Sequence, residues 1–202
     1  MPKDMQCRFL SFGVSYDWSF DTQMHNEYGC EGFALDPTVD LPVKLTPGVI
    51  FLKAGANTRL SISSKWSMFS PVELQKFVQQ PLYILKMDCE GCEYVIARDV
   101  LQYDPNFFHN VYQFNVEVHT PRSFLNDSID ARGLGKLYHL LLKAGLQLVH
   151  NDGGRCGPID QVKGCLDALI DSGFPCEPGC QSFLFGRNET FVAWRRRIMP
   201  NN

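Results

Sequence analysis

Chemically able residues crowd into Leu85-Lys86-Met87-Asp88-Cys89-Glu90-Gly91-Cys92-Glu93, where a lysine, three carboxylates and two cysteines close an apolar run. A second group follows at Phe114-Asn115-Val116-Glu117-Val118-His119. Glu117 and His119 are two apart, so in a strand they share a face. Histidine is the side chain best matched to proton abstraction near neutral pH. His119 is therefore the first candidate for a general base, with Asp88 as its catalytic neighbour; the plainer role for His119 is a surface residue at a strand end. His150 is a second-line base, and His25, His109 and His139 read as structural or exposed. Asp88, Glu90, Glu117 and His119 also make an oxygen-rich set suited to magnesium. Strand-end acids commonly serve ligand and structure alone, so the leading expectation is no metal, with Asp88, Glu117 and His119 as the minority metal site. Glu90 and Glu93 have a second role open to them as anchors of the next helix's first turn, where carboxylates are favoured. That role fits Glu93 better than Glu90.

The chain holds eight cysteines. Cys89-Glu90-Gly91-Cys92 and Cys176-Glu177-Pro178-Gly179-Cys180 have the spacing of a four-thiolate zinc site, although free cysteine also packs as a small hydrophobe. A disulfide between Cys7 and Cys30, on neighbouring strands, is favoured over zinc in an oxidising compartment. The sequons Asn126-Asp127-Ser128 and Asn188-Glu189-Thr190 permit that compartment without requiring it.

A ligand turn is expected near the start. Phe12-Gly13-Val14-Ser15-Tyr16-Asp17-Trp18 follows a short apolar run, and Asp36 ends the next one. In open α/β sheets, ligands bind beyond the carboxyl ends of the strands, where strand order reverses. Gly13 lets a ligand approach the backbone, and Asp36 can accept hydrogen bonds from ribose hydroxyls. A dinucleotide site needs several glycines around its pyrophosphate. Here one glycine stands near the Asp17 carboxylate, which repels phosphate but tolerates the sulfonium and ammonium of S-adenosylmethionine. Trp18 and Trp66 can stack on adenine or a sugar, core packing being the default for each.

These residues need a frame, and the periodicity supplies one. Strands are expected at Arg8–Phe12, Cys30–Leu35, Val49–Leu52, Leu82–Met87, Val111–Val118, Leu146–Val149 and Ser182–Phe185. Helices are expected over Trp18–Tyr28, around Val72–Val78, from about Cys92 to Leu101, and over Leu134–Ala144. Alternation of this kind predicts a mostly parallel, seven-stranded sheet covered on both faces, a three-layer αβα sandwich. All 202 residues are expected to form one domain, with 151–180 as a Gly/Pro/Cys-rich insertion or acceptor-side lid holding a short helix near Val162–Ile170. The abrupt first strand reads as a catalytic domain cut from something longer.

With 19 basic and 22 acidic residues the net charge is −3, which predicts no strong attraction to nucleic acid. Arg195-Arg196-Arg197 beside Trp194 reads as a solvated tail. No apolar stretch approaches the ~18 residues of a spanning helix, and the N-terminus lacks a signal peptide's apolar run. A soluble chain is expected, in the cytoplasm or the secretory lumen.

Two segments carry a family resemblance. Ser11-Phe12-Gly13-Val14-Ser15-Tyr16-Asp17-Trp18-Ser19-Phe20-Asp21, with Leu35-Asp36-Pro37-Thr38, looks like the cofactor turn of methyltransferase-like domains related to the FkbM family. Leu85 to Glu93 resembles that family's "K-hydrophobe-D-x-E-G-x-E" signature, and Phe114 to His119 continues the order. The resemblance spans roughly residues 7 to 150. It implies a class I, Rossmann-like methyltransferase using S-adenosyl-L-methionine to methylate a hydroxyl, most often of a sugar or glycan. By the same resemblance Gly13, Ser15, Asp17, Trp18, Ser19, Asp36 and Asp88 bind the cofactor. The alternatives are another small-molecule hydroxyl or amine as acceptor, or a non-catalytic domain that binds cofactor or a partner. Cys89 and Cys92 depart from the family pattern, which has apolar or small residues there.

Overall fold

The computed structural model describes residues 6–57, 66–78, 81–119, 128–153 and 181–187. Along the chain lie β1 (Arg8–Phe12), α1 (Ser19–Tyr28), β2 (Glu31–Leu35), β3 (Lys44–Thr46), β4 (Val49–Leu52), β5 (Ala54–Ala56) and β6 (Ser67–Phe69). They continue with α2 (Pro71–Val78), β7 (Leu82–Met87), α3 (Cys92–Tyr103), a 3-10 turn at Phe107–Asn110, β8 (Val111–Val118), α4 (Ser128–Lys143), β9 (Leu146–Gly153) and β10 (Gln181–Arg187).

The main sheet runs β3-β4-β2-β1-β7-β8-β10-β9. Its four inner pairings, β4 with β2, β2 with β1, β1 with β7 and β7 with β8, are parallel. The outer pairings, β3 with β4, β8 with β10 and β10 with β9, are antiparallel. The sheet is thus mostly parallel but has eight strands where seven are expected. The extra one, β3, spans three residues on the edge, too short to show an alternation. The paired strands β5 and β6, also three residues each, form a separate two-stranded sheet.

Two apolar clusters, one on each face of the sheet, make three layers. On one face Val72 and Leu74 of α2, Ile96 and Val100 of α3, and Leu137 and Leu141 of α4 pack against Leu10, Leu85, Phe114 and Val116. On the other, Met24 of α1 packs with Phe9, Ala34, Val49 and Phe51. Each fully buried aliphatic or aromatic side chain contributes roughly 1.5–3 kcal/mol relative to exposure, so the helices are held by these faces. The α1 helix stops where Gly29 takes a left-handed φ of 66° and its amide bonds the His25 carbonyl, a glycine C-cap. Strand order, register and layering together make this a class I methyltransferase-type, Rossmann-like α/β fold.

Chain order reverses between β1 and β7: the strands after β1 build outward on one side, and β7 and β8 on the other. Parallel register aligns Phe12 with both Leu35 and Met87, and Met87 with Val116. The next residue on each strand is therefore Gly13, Asp36, Asp88 or Glu117, one row across the carboxyl edge at the reversal point.

Cys7 and Cys30, just before the paired residues Arg8 and Glu31, form a disulfide with a Cα–Cα distance of 4.5 Å. Cys89 and Cys92 are bonded to each other, so neither thiolate is offered to the zinc site considered above; Cys176 and Cys180 lie outside the described residues. So do 154–180, with the short helix expected near Val162–Ile170, and, elsewhere in the chain, both asparagines of the sequons and the basic tail. Asn151–Gly153, assigned to the insertion, instead extend β9.

Candidate functional site

Gly13 has φ +78°, and a Cβ there would sit 1.6 Å from the Asp88 carbonyl oxygen and 3.0 Å from Cys89 Cα. The glycine is thus required by the neighbouring strand end as well as by its own left-handed φ. Its amide donates to the Leu35 carbonyl at 2.9 Å. Ser15, also at positive φ, donates its amide to Asp36 Oδ2 at 2.8 Å. The other Asp36 oxygen accepts the Thr38 amide at 2.8 Å and hydroxyl at 2.6 Å. Burial alone would raise the Asp36 pKa, but the Thr38 hydroxyl and the Ser15, Thr38 and Val14 amides outweigh it and hold the carboxyl below its ordinary value. Asp36 is therefore a buried anion that braces the Gly13–Ser15 turn.

Asp17, Trp18 and Ser19 form the entry to α1. Asp17 Oδ1 accepts the Ser19 amide at 3.0 Å; the Ser19 side chain, then this amide, lowers the Asp17 pKa. Trp18 is the N-cap residue, half-buried against the α1-side core; Ser15, Asp17 and Ser19 are exposed. Lys86 ties the row together, its Nζ donating to the Gly13 carbonyl at 3.1 Å and lying 3.7 Å from Asp88 Oδ2.

Beside this turn, one ligating atom each of Asp88, Glu117 and His119 lie within 4.8 Å of one another. His119 is buried and gripped on every side. Its amide donates to Glu93 Oε1 at 2.8 Å and its carbonyl accepts the Tyr94 hydroxyl at 2.6 Å. Its Nδ1 is 3.3 Å from Glu93 Oε1, and its Nε2 is 4.0 Å from Glu117 Oε1. Burial disfavours the imidazolium, yet the Glu93 carboxylate, then Glu117 and Asp88, more than offset it and raise the His119 pKa above 6.5. Burial and the adjacent Asp88 charge push the Glu117 carboxyl up, against the pull of His119. Glu93, fully buried, also accepts the Gly91 amide at 2.9 Å, so it anchors the first turn of α3 and the end of β8 together.

The other candidates stand apart. His150 is exposed on β9, which is separated from β8 by β10, and its register partner Leu184 aligns with Asn115. His109 and His139 are exposed, and His25 contacts the Cys30 carbonyl at 3.0 Å. Glu90 is exposed in the turn before α3, and Trp66 is exposed before β6. A cleft of about 360 Å³ lined by Arg8, Glu31, Gly32, Phe33 and Phe77 lies at the amino ends of β1 and β2, opposite the row of acids. Lys86, Thr38 and Tyr94 were not singled out from sequence. Thr38 carried a signal, because a residue two after an aspartate commonly bonds its side chain. Lys86 is the lysine of the signature segment, but its contact with Gly13, like that of Tyr94 with His119, joins segments far apart in sequence and leaves no local signal.

No protein-family model matches the sequence, and no curated protein matches it. Similar solved structures include the fibrillarin pre-rRNA processing protein of Methanococcus jannaschii, at TM-score 0.45 and 9% identity over 93% of this chain and 69% of that one. Human methyltransferase 10 domain containing protein aligns at 0.42 and 10% identity, over 92% and 73%. A SAM-dependent methyltransferase from Archaeoglobus fulgidus aligns at 0.41 and 12%, over 90% and 86%. At such scores and identities the likeness assigns neither reaction nor substrate to this chain, and the fold assignment rests on its own strand order and register.

Proposed function

We propose that this chain is a single-domain, S-adenosylmethionine-dependent O-methyltransferase acting on a hydroxyl of a sugar or glycan. The observation that carries the reading is the row Asp36, Gly13, Asp88 and Glu117 at the sheet's reversal point, with His119 beside it. When bound, the donor supplies a methyl group already activated on a sulfonium. The residues fit a cationic, phosphate-free ligand: Asp17, Asp88 and Glu117 favour positive charge, and the single-glycine turn makes no pyrophosphate cradle. Asp36 meets a ribose by exchanging its Thr38 hydroxyl bond for a ligand hydroxyl, while the Ser15 amide keeps the carboxylate in place. Ser15, Trp18 and Ser19 line the same turn, and Asp88 stands where donor and acceptor meet. His119 takes the acceptor's proton, and Glu93 and Tyr94 keep its backbone from moving as it does so. The acidic row disfavours a nucleic-acid acceptor; the glycan assignment is supported by the FkbM-type motifs.

The test is a methyl-transfer assay over a glycan panel. Methylated sugar hydroxyls are expected; transfer only to an amine or to another small molecule would replace the acceptor class, and no transfer to any acceptor would favour a binding-only domain. The convergence of Asp88, Glu117 and His119 favours one second reading, a magnesium- or manganese-assisted version of the same transfer. Turnover is expected to survive EDTA, since the acids serve donor and acceptor directly. Loss of turnover restored by magnesium or manganese would establish the metal-assisted version.

A further inference from the structure

Cys89 and Cys92 close a small ring between the two halves of the site, bonded across the turn at a Cα–Cα distance of 5.5 Å. Cys89 is half-exposed, whereas Cys92 is buried as the first residue of α3. The two residues inside the ring, Glu90 and Gly91, have φ of 47° and 114°. For Glu90 this left-handed conformation costs on the order of 1 kcal/mol or more, so it persists only where the surroundings impose it.

The residues on either side of the ring in sequence belong to the site. Asp88 precedes it, with its carbonyl and Cys89 Cα filling the space beside Gly13. Glu93 and Tyr94 follow it and hold both backbone groups of His119, and Glu93 reaches back to the Gly91 amide inside the ring. A change of conformation at Glu90–Gly91 therefore reaches Asp88 in one direction and His119 in the other.

We propose that Cys89–Cys92 is a redox-active site that exchanges with an external dithiol, and that opening it loosens the Asp88 and His119 end of the pocket. The external thiolate attacks the more exposed Cys89 sulfur, forming a mixed disulfide and expelling the Cys92 thiolate, which the positive end of α3 stabilises. The second thiol of the reductant, as thiolate, then attacks its own mixed-disulfide sulfur and releases Cys89. Two electrons and two protons pass to the protein, and the dithiol leaves as a disulfide. The exchange stands on the cysteine geometry alone; its effect on ligand affinity rests on the methyltransferase reading.

The experiment titrates the folded full chain with dithiothreitol, identifies reduced cysteines by alkylation and mass spectrometry, and follows amide hydrogen exchange and adenosylhomocysteine affinity. Cys89 and Cys92 are expected to become reducible before the buried pair Cys7 and Cys30. Exchange is expected to rise at Gly91 and His119 but not along β1 and β2, and affinity to fall about tenfold, recovering on reoxidation. A Cys89→Ser/Cys92→Ser chain should match the reduced wild type without reductant. The proposal is overturned if the pair stays oxidised until the protein unfolds, or if it is reduced with exchange at Gly91 and His119 unchanged. Raised exchange with adenosylhomocysteine bound by neither form would support the redox site and overturn the methyltransferase reading.

Discussion

At the residue scale, His119 is held by more contacts than a strand end requires. Glu93 binds its amide and faces its Nδ1, and the Tyr94 hydroxyl binds its carbonyl. That grip fixes the ring between two carboxylates, with Nδ1 at Glu93 and Nε2 4.0 Å from Glu117 Oε1. His119→Ala should lower kcat by about 10²–10⁴-fold, the usual worth of general-base assistance, and leave adenosylhomocysteine binding nearly intact. Asp88→Asn should damage both, and the two kcat and Kd pairs separate the roles. Near-full turnover in His119→Ala would move the base to Asp88. A second residue tests burial rather than chemistry. Asp21, on α1, is 1% exposed beneath the turn, and burial, partly offset by Ser11 and Lys86, raises its carboxyl from 3.8 to about 6. No geometrically sound hydrogen bond reaches its Oδ1 or the Ser11 hydroxyl among the described residues, so the Ser11 effect is one of proximity. A raised carboxyl destabilises the fold as it ionises, so the penalty is absent below the unfolded pKa and complete above about pH 6. Asp21→Asn should then stabilise the protein at pH 7, by up to about 3 kcal/mol, and be close to neutral near pH 4. Thermal melts at the two pH values check this; an equal effect at both would remove the ionisation from the account.

At the element scale, the site exists because β1, β2, β7 and β8 end in register. Gly13→Ala should break that alignment, placing a methyl 1.6 Å from the Asp88 carbonyl oxygen on a residue with φ +78°. The melting temperature should fall by at least about 5 °C and ligand binding should disappear. Gly133→Ala in α4, where a Cβ meets nothing within 4 Å, is the control and should be neutral or stabilising. A Gly13→Ala protein as stable as wild type would mean that β1 and β7 tolerate a different spacing. Strands β1, β4, β7 and β8 were legible in sequence with the bounds the structure shows, because long apolar runs bounded by turn residues survive tertiary context. Three-residue strands carry no period to read, and α4 begins at Ser128 rather than Leu134 because its first turns, through Gly133, lack an apolar stripe. The individual site residues were equally visible as acids and a histidine at strand ends. Their grouping was legible only through the expected strand order, because Asp36 beside Gly13 and Asp88 beside Glu117 is a fact of register between strands distant in sequence. The work Gly13 does for Asp88 was not legible, as a steric demand across two strands leaves no mark on either segment alone.

At the scale of the whole molecule, the two sides of the row are tied to different parts of the chain. The side proposed to hold the donor is built by β1, α1 and β2, which the Cys7–Cys30 disulfide joins at the opposite, amino end of the strands. The side proposed to meet the acceptor is built by β7, α3 and β8, with the Cys89–Cys92 pair beside Asp88 and Glu93. Bonds of this kind persist where the surroundings are oxidising. The net charge of −3 and the acidic carboxyl edge agree with a cationic donor and an uncharged acceptor better than with a polyanion. The proposed transfer depends on the donor being held at the turn that Asp36 braces. The most direct test is isothermal titration calorimetry of adenosylhomocysteine against the wild-type chain and Asp36→Ala. Micromolar binding to the wild type is expected, with a loss of about 1–3 kcal/mol in the variant, the worth of a charged hydrogen-bond acceptor removed from a site. No binding to the wild type, or an unchanged Kd in Asp36→Ala, would contradict that placement of the donor.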